Sequence, residues 1–313
     1  MRYGFGVDIF GSETKIGFFD ETGKLLDKWK FKTPMHSNGS QILPALADEI
    51  EAYVRKKQLF EDDIIGIGVG IPGPVNSSGV VNKCVNFDWG IFNIDRALSG
   101  LTGYPVKAGN VANLAALGEY WKGHGTRNMV FAAMNTGLGG AVVINGQVVH
   151  GTHGGGGEFG HMIINPHETE SCTCGRRGCV EQYCSPTGIL RVAKRRLAAA
   201  GTPSVLRRQP LTNYQNVLAA AANGDQIAVD TMNQVYDYAG HFLSQVCCTV
   251  DPEAIILGGE FCRIGLPALE GISRAFHKYI FHAIENVRFD FAALGTDACI
   301  YGAFKLILDS QAD

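Results

Sequence analysis

A strand–turn–strand–turn–strand pattern occurs twice in this chain, and that repetition limits the possible folds more than any other feature. In the first copy an apolar run from Tyr3 to Asp8 is followed by a Gly11-Ser12 turn, a second run from Thr14 to Phe19, a turn at Glu21-Thr22-Gly23 and a third run. The second copy lies between Asn128 and Val149, as NMVFAAM, the turn NTGLGG, AVVI, the turn NG and QVV. Apolar runs punctuated by glycine turns read as β-meanders, and reuse of one supersecondary unit implies two related lobes. Their boundary falls between Tyr120 and Asn128.

Helical periodicity separates the meanders. Ile42, Leu43, Leu46, Ile50, Tyr53 and Val54 recur at a spacing near 3.6, which predicts an amphipathic helix over residues 40–58. IIGIGVGIPGPV then reads as a buried strand ending in a Pro-Gly-Pro turn. Residues 110–122 predict a helix capped by Asn110 or Asn113. Further helices are expected over about 185–200, 214–222 and 228–249, leading into the strand AIILGG, with a last helix starting near Gly302.

At 313 residues the chain suits two lobes of ordinary domain size or one large α/β unit. A hydrophobic fraction of 46%, a charged fraction of 18% and a net charge of −3 describe a soluble globular protein with no field for a nucleic-acid backbone. MRYGFGVDIF lacks the basic and apolar regions of a signal peptide, and the apolar runs are too short to span a bilayer. Nine cysteines, several of them inside apolar segments, suit the reducing cytoplasm.

Three of those cysteines stand apart. Cys172, Cys174 and Cys179 have C-x-C-x4-C spacing broken by Gly175 and Gly178, which lets soft ligands converge on one point. His161, eleven residues upstream in Glu158-Phe159-Gly160-His161, completes a Cys3His set suited to a closed tetrahedral zinc site, with His167 as the alternative fourth ligand. The competing reading, three reduced core thiols, fits poorly beside Glu170, Arg176 and Arg177. Elsewhere, the turns at Asp8 to Thr14 and Asn135 to Gly140, and Gly258-Gly259 after AIILGG, could each bring backbone N–H groups close to phosphate oxygens. A single such turn is more often only a hairpin.

Taken together, VDIFGSETKIGFFD, GIGVGIPGPV, AGNVANLAALGE, NTGLGGAVVINGQVVHG, the E-x-G-H and C-x-C-G-x-x-G-C-x-E motifs and DPEAIILGG make the whole chain resemble the ROK family (repressor, open reading frame, kinase), and within it the bacterial glucokinases. The resemblance implies an α/β fold of the actin-like ATPase or hexokinase type, a duplicated ribonuclease H-like two-lobe architecture with a structural zinc loop. It implies a smaller lobe over residues 1–120, joined by a returning C-terminal helix at 302–313. A larger lobe over 121–301 would carry the zinc loop, the nucleotide side and an oligomer interface, in a homodimer or homotetramer. It further implies that Asn110, Glu158, His161 and Glu181 hydrogen-bond a hexose, glucose foremost. ATP with Mg2+ would meet Asp8, Gly11, Ser12, Lys15, Thr136, Gly137, Gly139, Gly258 and Gly259, and zinc would be held by His161, Cys172, Cys174 and Cys179. Taken singly, Glu158 and Glu181 also read as solvated surface carboxylates.

The sequence departs from the family at several of these places. Where active relatives carry the Asp base of Asn-Asp-x-Asn, this chain has Val111 within Asn110-Val111-Ala112-Asn113, and valine accepts no proton. Phe10 replaces a glycine of the first phosphate loop, Ser12 a threonine and Asn135 a glycine of the second loop, while Glu260 adds a negative charge beside Gly259. The resemblance therefore implies an ATP:hexose phosphotransferase strongly impaired at Val111, or a non-catalytic sugar-binding or regulatory protein. Repressors of the family carry a DNA-binding head before the first loop, whereas Asp8 stands near the start of this sequence.

Overall fold

The computed structural model describes residues 1–208 and 210–311. It contains two compact units: Met1–Arg127 with Val142–Gly157 and the chain from Ala293 onward, and Asn128–Ala141 with Glu158–Ala292.

The first meander forms as expected, as strands β1 (Tyr3–Phe10), β2 (Glu13–Asp20) and β3 (Leu25–Lys32). Helix α1 (Ile42–Lys57) buries the apolar stripe seen in the sequence and ends where Gln58 adopts a left-handed conformation. Strand β4 (Ile64–Ile71) is buried throughout and runs parallel to β1, the continuous burial of a strand covered on both faces. A two-stranded hairpin, β5 (Val80–Cys84) and β6 (Trp89–Asn93), precedes α2 (Ile94–Thr102), which Asn93 caps by accepting from Arg96 N. Strand β7 (Val106–Asn110) completes a five-stranded sheet of order β3-β2-β1-β4-β7 and leads directly into α3 (Val111–Gly118).

The second meander is β8 (Met129–Met134), β9 (Leu138–Ile144) and β10 (Gln147–Val148). The turn between β8 and β9 is shorter than NTGLGG suggests, because Leu138–Gly140 already pair as strand. Helices α4 (Pro186–Ala199), α5 (Tyr214–Ala222) and α6 (Gln226–Val250) follow at the expected places, then β11 (Ala254–Gly259), α7 (Glu260–Ile264), α8 (Leu266–Tyr279) and β12 (Arg288–Phe291). The second sheet has the order β10-β9-β8-β11-β12, with β11 parallel to both β8 and β12. Two five-stranded mixed sheets, each built on a meander, match the duplication read from the sequence.

The last helix, α9 (Ala298–Asp309), starts a turn before Gly302; residues 312 and 313 of the expected helix lie outside the described residues. It packs on β1, β4 and α3. Glycine makes that approach possible. A Cβ at Gly6 would lie 2.0 Å from Ile300 O, and one at Gly68 would lie 1.7 Å from Ala303 O. The alternating glycines of YGFG and IIGIGVG are therefore the surface on which α9 lies, with Ile300, Ala303 and Phe304 buried against it.

Candidate functional site

The expected site residues form two groups, one on each unit. The first gathers at the C-terminal ends of β1, β4 and β7. Asp8 is directly opposite Lys15 on β2 and in register with Gly70 on β4. A Cβ at Gly70 would meet Cys299 Sγ at 2.6 Å and Val111 Cγ1 at 3.3 Å, so Asp8, Cys299 and Val111 share this end of the sheet. Burial pushes the Asp8 carboxyl up to about 6 against the pull of the Lys15 charge and a Cys299 hydrogen bond. Its Oδ1 is buried and accepts no hydrogen bond.

Asn110 is the helix cap. Its Oδ1 accepts from Ala112 N at 2.8 Å and Asn113 N at 3.4 Å, while Nδ2 donates to Gly73 O at 3.2 Å. That leaves one amide hydrogen for another partner. Val111 follows as the first helical residue and packs beside Leu114, Leu117 and Cys299. Asn113, the other proposed cap, is 1% exposed, and neither its Oδ1 nor its Nδ2 has a partner. Gly11 and Ser12 form the two-residue turn between β1 and β2, next to an exposed Phe10 paired with Glu13. Lys15 Nζ bonds to Thr296 O and, at 3.0 Å, to Asp297 Oδ1.

The second group centres on the cysteines. His161, Cys172, Cys174 and Cys179 each offer one ligand atom, and all four atoms lie within 4.8 Å of one another. Cys174 and Cys179 Sγ are 3.6 Å apart, and Cys172 Sγ is 3.9 Å from His161 Nδ1. Tetrahedral zinc–sulfur bonds of about 2.3 Å require sulfurs roughly 3.8 Å apart, so the donor set fits such an ion. Three thiols packed this closely also perturb one another. Burial and then its neighbouring thiols push Cys179 up, whereas hydrogen bonds from Arg176 and Cys179 overcome burial at Cys174 and bring it down to about 7. His167 is exposed and stands outside this group, which removes it as the alternative ligand.

The loop is fastened from below. Gln182 Oε1 accepts from Gly178 N at 2.7 Å and Cys179 N at 3.1 Å, and its Nε2 donates to Glu170 O at 3.0 Å. Glu168 takes two bonds from Arg195, at 2.7 and 2.8 Å, and one from Tyr183 OH at 2.5 Å. Arg195 and Tyr183 thereby hold its carboxyl well below the ordinary range. None of these three was picked out in the sequence, although the pairing of Glu168 with Arg195 links the loop to α4 by a charge-assisted fork.

Glu181 reaches the second hairpin turn. Its Oε2 accepts from Leu138 N at 3.1 Å, and a Cβ at Gly137 would lie 2.0 Å from that oxygen, so only glycine lets the carboxylate sit there undisturbed. Glu158 is held above the ordinary carboxylate range by burial, with His161 opposing the shift and Glu181 adding to it. Thr136 and Gly137 form the turn, Gly139 lies in β9, and Gly258-Gly259 end β11 opposite Ala133 and Met134. The Glu260 carboxylate is not left bare: it accepts from Tyr214 OH and pairs with Arg263 at 3.3 Å.

The sequence profile of the ROK family matches residues 4–310. The chain belongs to the ROK family. Among its relatives, the glucokinase of Halalkalibacterium halodurans is 32% identical over 99% of this chain and 96% of its own length. A xylose repressor of Caldicellulosiruptor bescii is 26% identical over 98% of this chain and 78% of its own. The crystal structure of a ROK family glucokinase from Streptomyces griseus in complex with glucose and AMPPNP superposes with a TM-score of 0.77 at 30% identity, covering 97% of this chain and 98% of that one. The actin-like α/β architecture expected from the sequence is thus the one observed. Among the described residues, no helix is long and apolar enough to cross a membrane.

Proposed function

We propose that this chain is a sugar kinase of glucokinase type, transferring a phosphoryl group from ATP to glucose, whose turnover is strongly reduced by Val111. The observation that carries the reading is the position of Val111: it follows Asn110 as the first residue of α3 and stands beside Gly70, the register partner of Asp8. A carboxylate at that place would act as the base for the sugar hydroxyl. Its loss typically costs about 10²- to 10⁴-fold in rate while positioning and electrostatic contributions remain.

In this reading Glu158, His161, Glu181 and the remaining amide hydrogen of Asn110 bind the sugar hydroxyls. Paired carboxylates, an imidazole and an amide can hold a polyol by several directed bonds. His161 would hold zinc through Nδ1 together with the three thiols of Cys172, Cys174 and Cys179, and its tautomer would then be fixed with Nε2 left for the sugar. That zinc is structural, because four protein ligands leave no open position. The unpaired Oδ1 of Asp8 is a fitting partner for the hydrated Mg2+ of the nucleotide, which when bound neutralises phosphate charge. Backbone N–H groups near Gly11, Ser12, Thr136, Gly137, Gly139, Gly258 and Gly259, together with Lys15, hold the nucleotide phosphates.

A second reading, a non-catalytic sugar-binding protein, draws on Val111 and on Lys15, whose ammonium is already engaged by Thr296 and Asp297. A coupled ADP-release assay with glucose, mannose, fructose and N-acetylated hexosamines separates the two. Val111→Asp should raise kcat by about 10²- to 10⁴-fold on the preferred sugar. If both proteins stay inactive while glucose binds by calorimetry, the sugar-binding reading replaces the kinase.

A further inference from the structure

Helix α4 carries a second polar site with no part in the reading above. Thr187, Leu190, Arg191, Lys194 and Arg195 recur at the spacing of one helix face. With Glu170 from the zinc loop they line a surface cavity of about 330 Å³. Its cations are unequally committed. Arg195 is held by Glu168 and Glu170, whereas Arg191 reaches only one carboxylate oxygen, Glu170 Oε2, at 3.5 Å. The Nη1 of Arg191 is buried and has no hydrogen-bond partner, and Lys194 is exposed at the rim. A buried guanidinium nitrogen without an acceptor is an unfilled donor in a group shaped for two-pronged recognition of an oxyanion.

We propose that this cavity binds a phosphate group, with Arg191 and Lys194 as its principal ligands and Thr187 at the helix start as a hydroxyl donor. The chemistry favours phosphate. Arg191 supplies a planar fork whose Nη2 is held by Glu170 Oε2 at 3.5 Å and whose enclosed Nη1 gains an acceptor when the side chain turns toward the cavity, Lys194 a mobile point charge, and the first turn of α4 the positive end of a helix dipole. The volume exceeds that of a bare phosphate and lies at the lower end of small-ligand pockets, so the site can take a phosphomonoester as well as the free ion. Glu170 is the competing anion. Phosphate that draws Arg191 away from Glu170 acts on the segment whose backbone oxygen, Glu170 O, is bonded to Gln182, and Gln182 in turn holds Gly178 and Cys179. Occupancy is thereby linked to the cysteine loop without touching its ligands.

Calorimetric titration of the full, metal-loaded chain with inorganic phosphate and separately with glucose 6-phosphate tests the proposal, using Arg191→Gln, Lys194→Gln and the double variant. Binding should weaken at least tenfold in Arg191→Gln and about threefold in Lys194→Gln. An unchanged circular dichroism spectrum and melting temperature establish that each variant is folded. Lys194 is exposed, so its variant keeps the test valid even if Arg191→Gln folds poorly. Tighter binding of glucose 6-phosphate than of phosphate identifies a phosphomonoester site, and equal binding a free-phosphate site. Absence of binding, or binding that neither substitution weakens, overturns the proposal.

Discussion

In the segment from Glu158 to Gln182 the buried polar groups Glu168 and Gln182 find all their partners within the protein, whereas at the end of the first sheet Asp8 and Asn113 do not. The contrast separates two kinds of polar group. A fully bonded buried group contributes to the shape of the protein, while an orphaned one costs roughly 1–3 kcal/mol and persists where a ligand can repay it. The cysteine loop is therefore a scaffold that presents Glu158, His161 and Glu181. The sheet end leaves Asp8 Oδ1 without a partner, and Val111 beside it contributes nothing polar.

The largest test of that contrast is removal of the proposed zinc. Structural zinc contributes folding free energy directly to the segment it closes, so chelation should abolish hydrogen-exchange protection over residues 161–181. Glucose affinity should fall at least tenfold, and protection of β1 and β4 should persist. Retained sugar affinity after verified metal loss would show that the internal hydrogen bonds of Gln182 and Glu168 suffice to hold the loop.

Asp8 offers the next largest effect, on stability rather than binding. Burial raises its folded pKa from 3.8 to about 6, so the folded protein holds a proton that the unfolded chain has already released. Stability of the parent chain should therefore fall as pH rises from about 4 through 6, by roughly 3 kcal/mol in all. Asp8→Asn lacks this titration. In urea unfolding without Mg2+ it should be more stable than the parent at pH 7.5, with the difference vanishing below about pH 4. A difference independent of pH would assign the effect to packing against Cys299 instead of to an uncompensated charge.

Much of this contrast was legible in the sequence, because both groups rest on local patterns. The cysteine spacing, the E-x-G-H unit and the Asn110 cap are defined within a few residues, and so are the meanders. What was missed depends on partners distant in sequence. Glu168 reads as a surface carboxylate until Arg195 is placed beside it, and Glu119 as helical surface until its carboxylate accepts from Ala293 N and Leu294 N. That inward turn accompanies the π-helical segment Glu119–Gly123, which ends regular α-helix before the expected Lys122. The hairpin of β5 and β6, together with α2, β7, α8 and β12, was also unread. Short elements of mixed polarity carry a weak periodic signal and are fixed by tertiary pairing. Glu260, read in the sequence only as a negative charge beside Gly259, likewise has partners that lie outside its own strand-to-helix junction or one turn along: Tyr214 and Arg263.

The smallest effect probes how closely the scaffold fits its presented carboxylate. A Cβ at Gly137 would fall 2.0 Å from Glu181 Oε2, and that atom is the end of a flexible side chain that can swing aside. Gly137→Ala should therefore fold, at a cost of about 1 kcal/mol for the lost bond from Leu138 N, with glucose affinity reduced about five- to tenfold as Glu181 is redirected. Gly155→Ala is the control, since a Cβ there would meet nothing within 4 Å. Calorimetry with glucose and thermal melts of both variants decide the matter. Equal behaviour would mean that Glu181 keeps its direction without Leu138 N, and that the thiol cluster alone aims it. A selective loss in Gly137→Ala would make the second hairpin turn a working part of the sugar-facing wall as well as a candidate phosphate cradle.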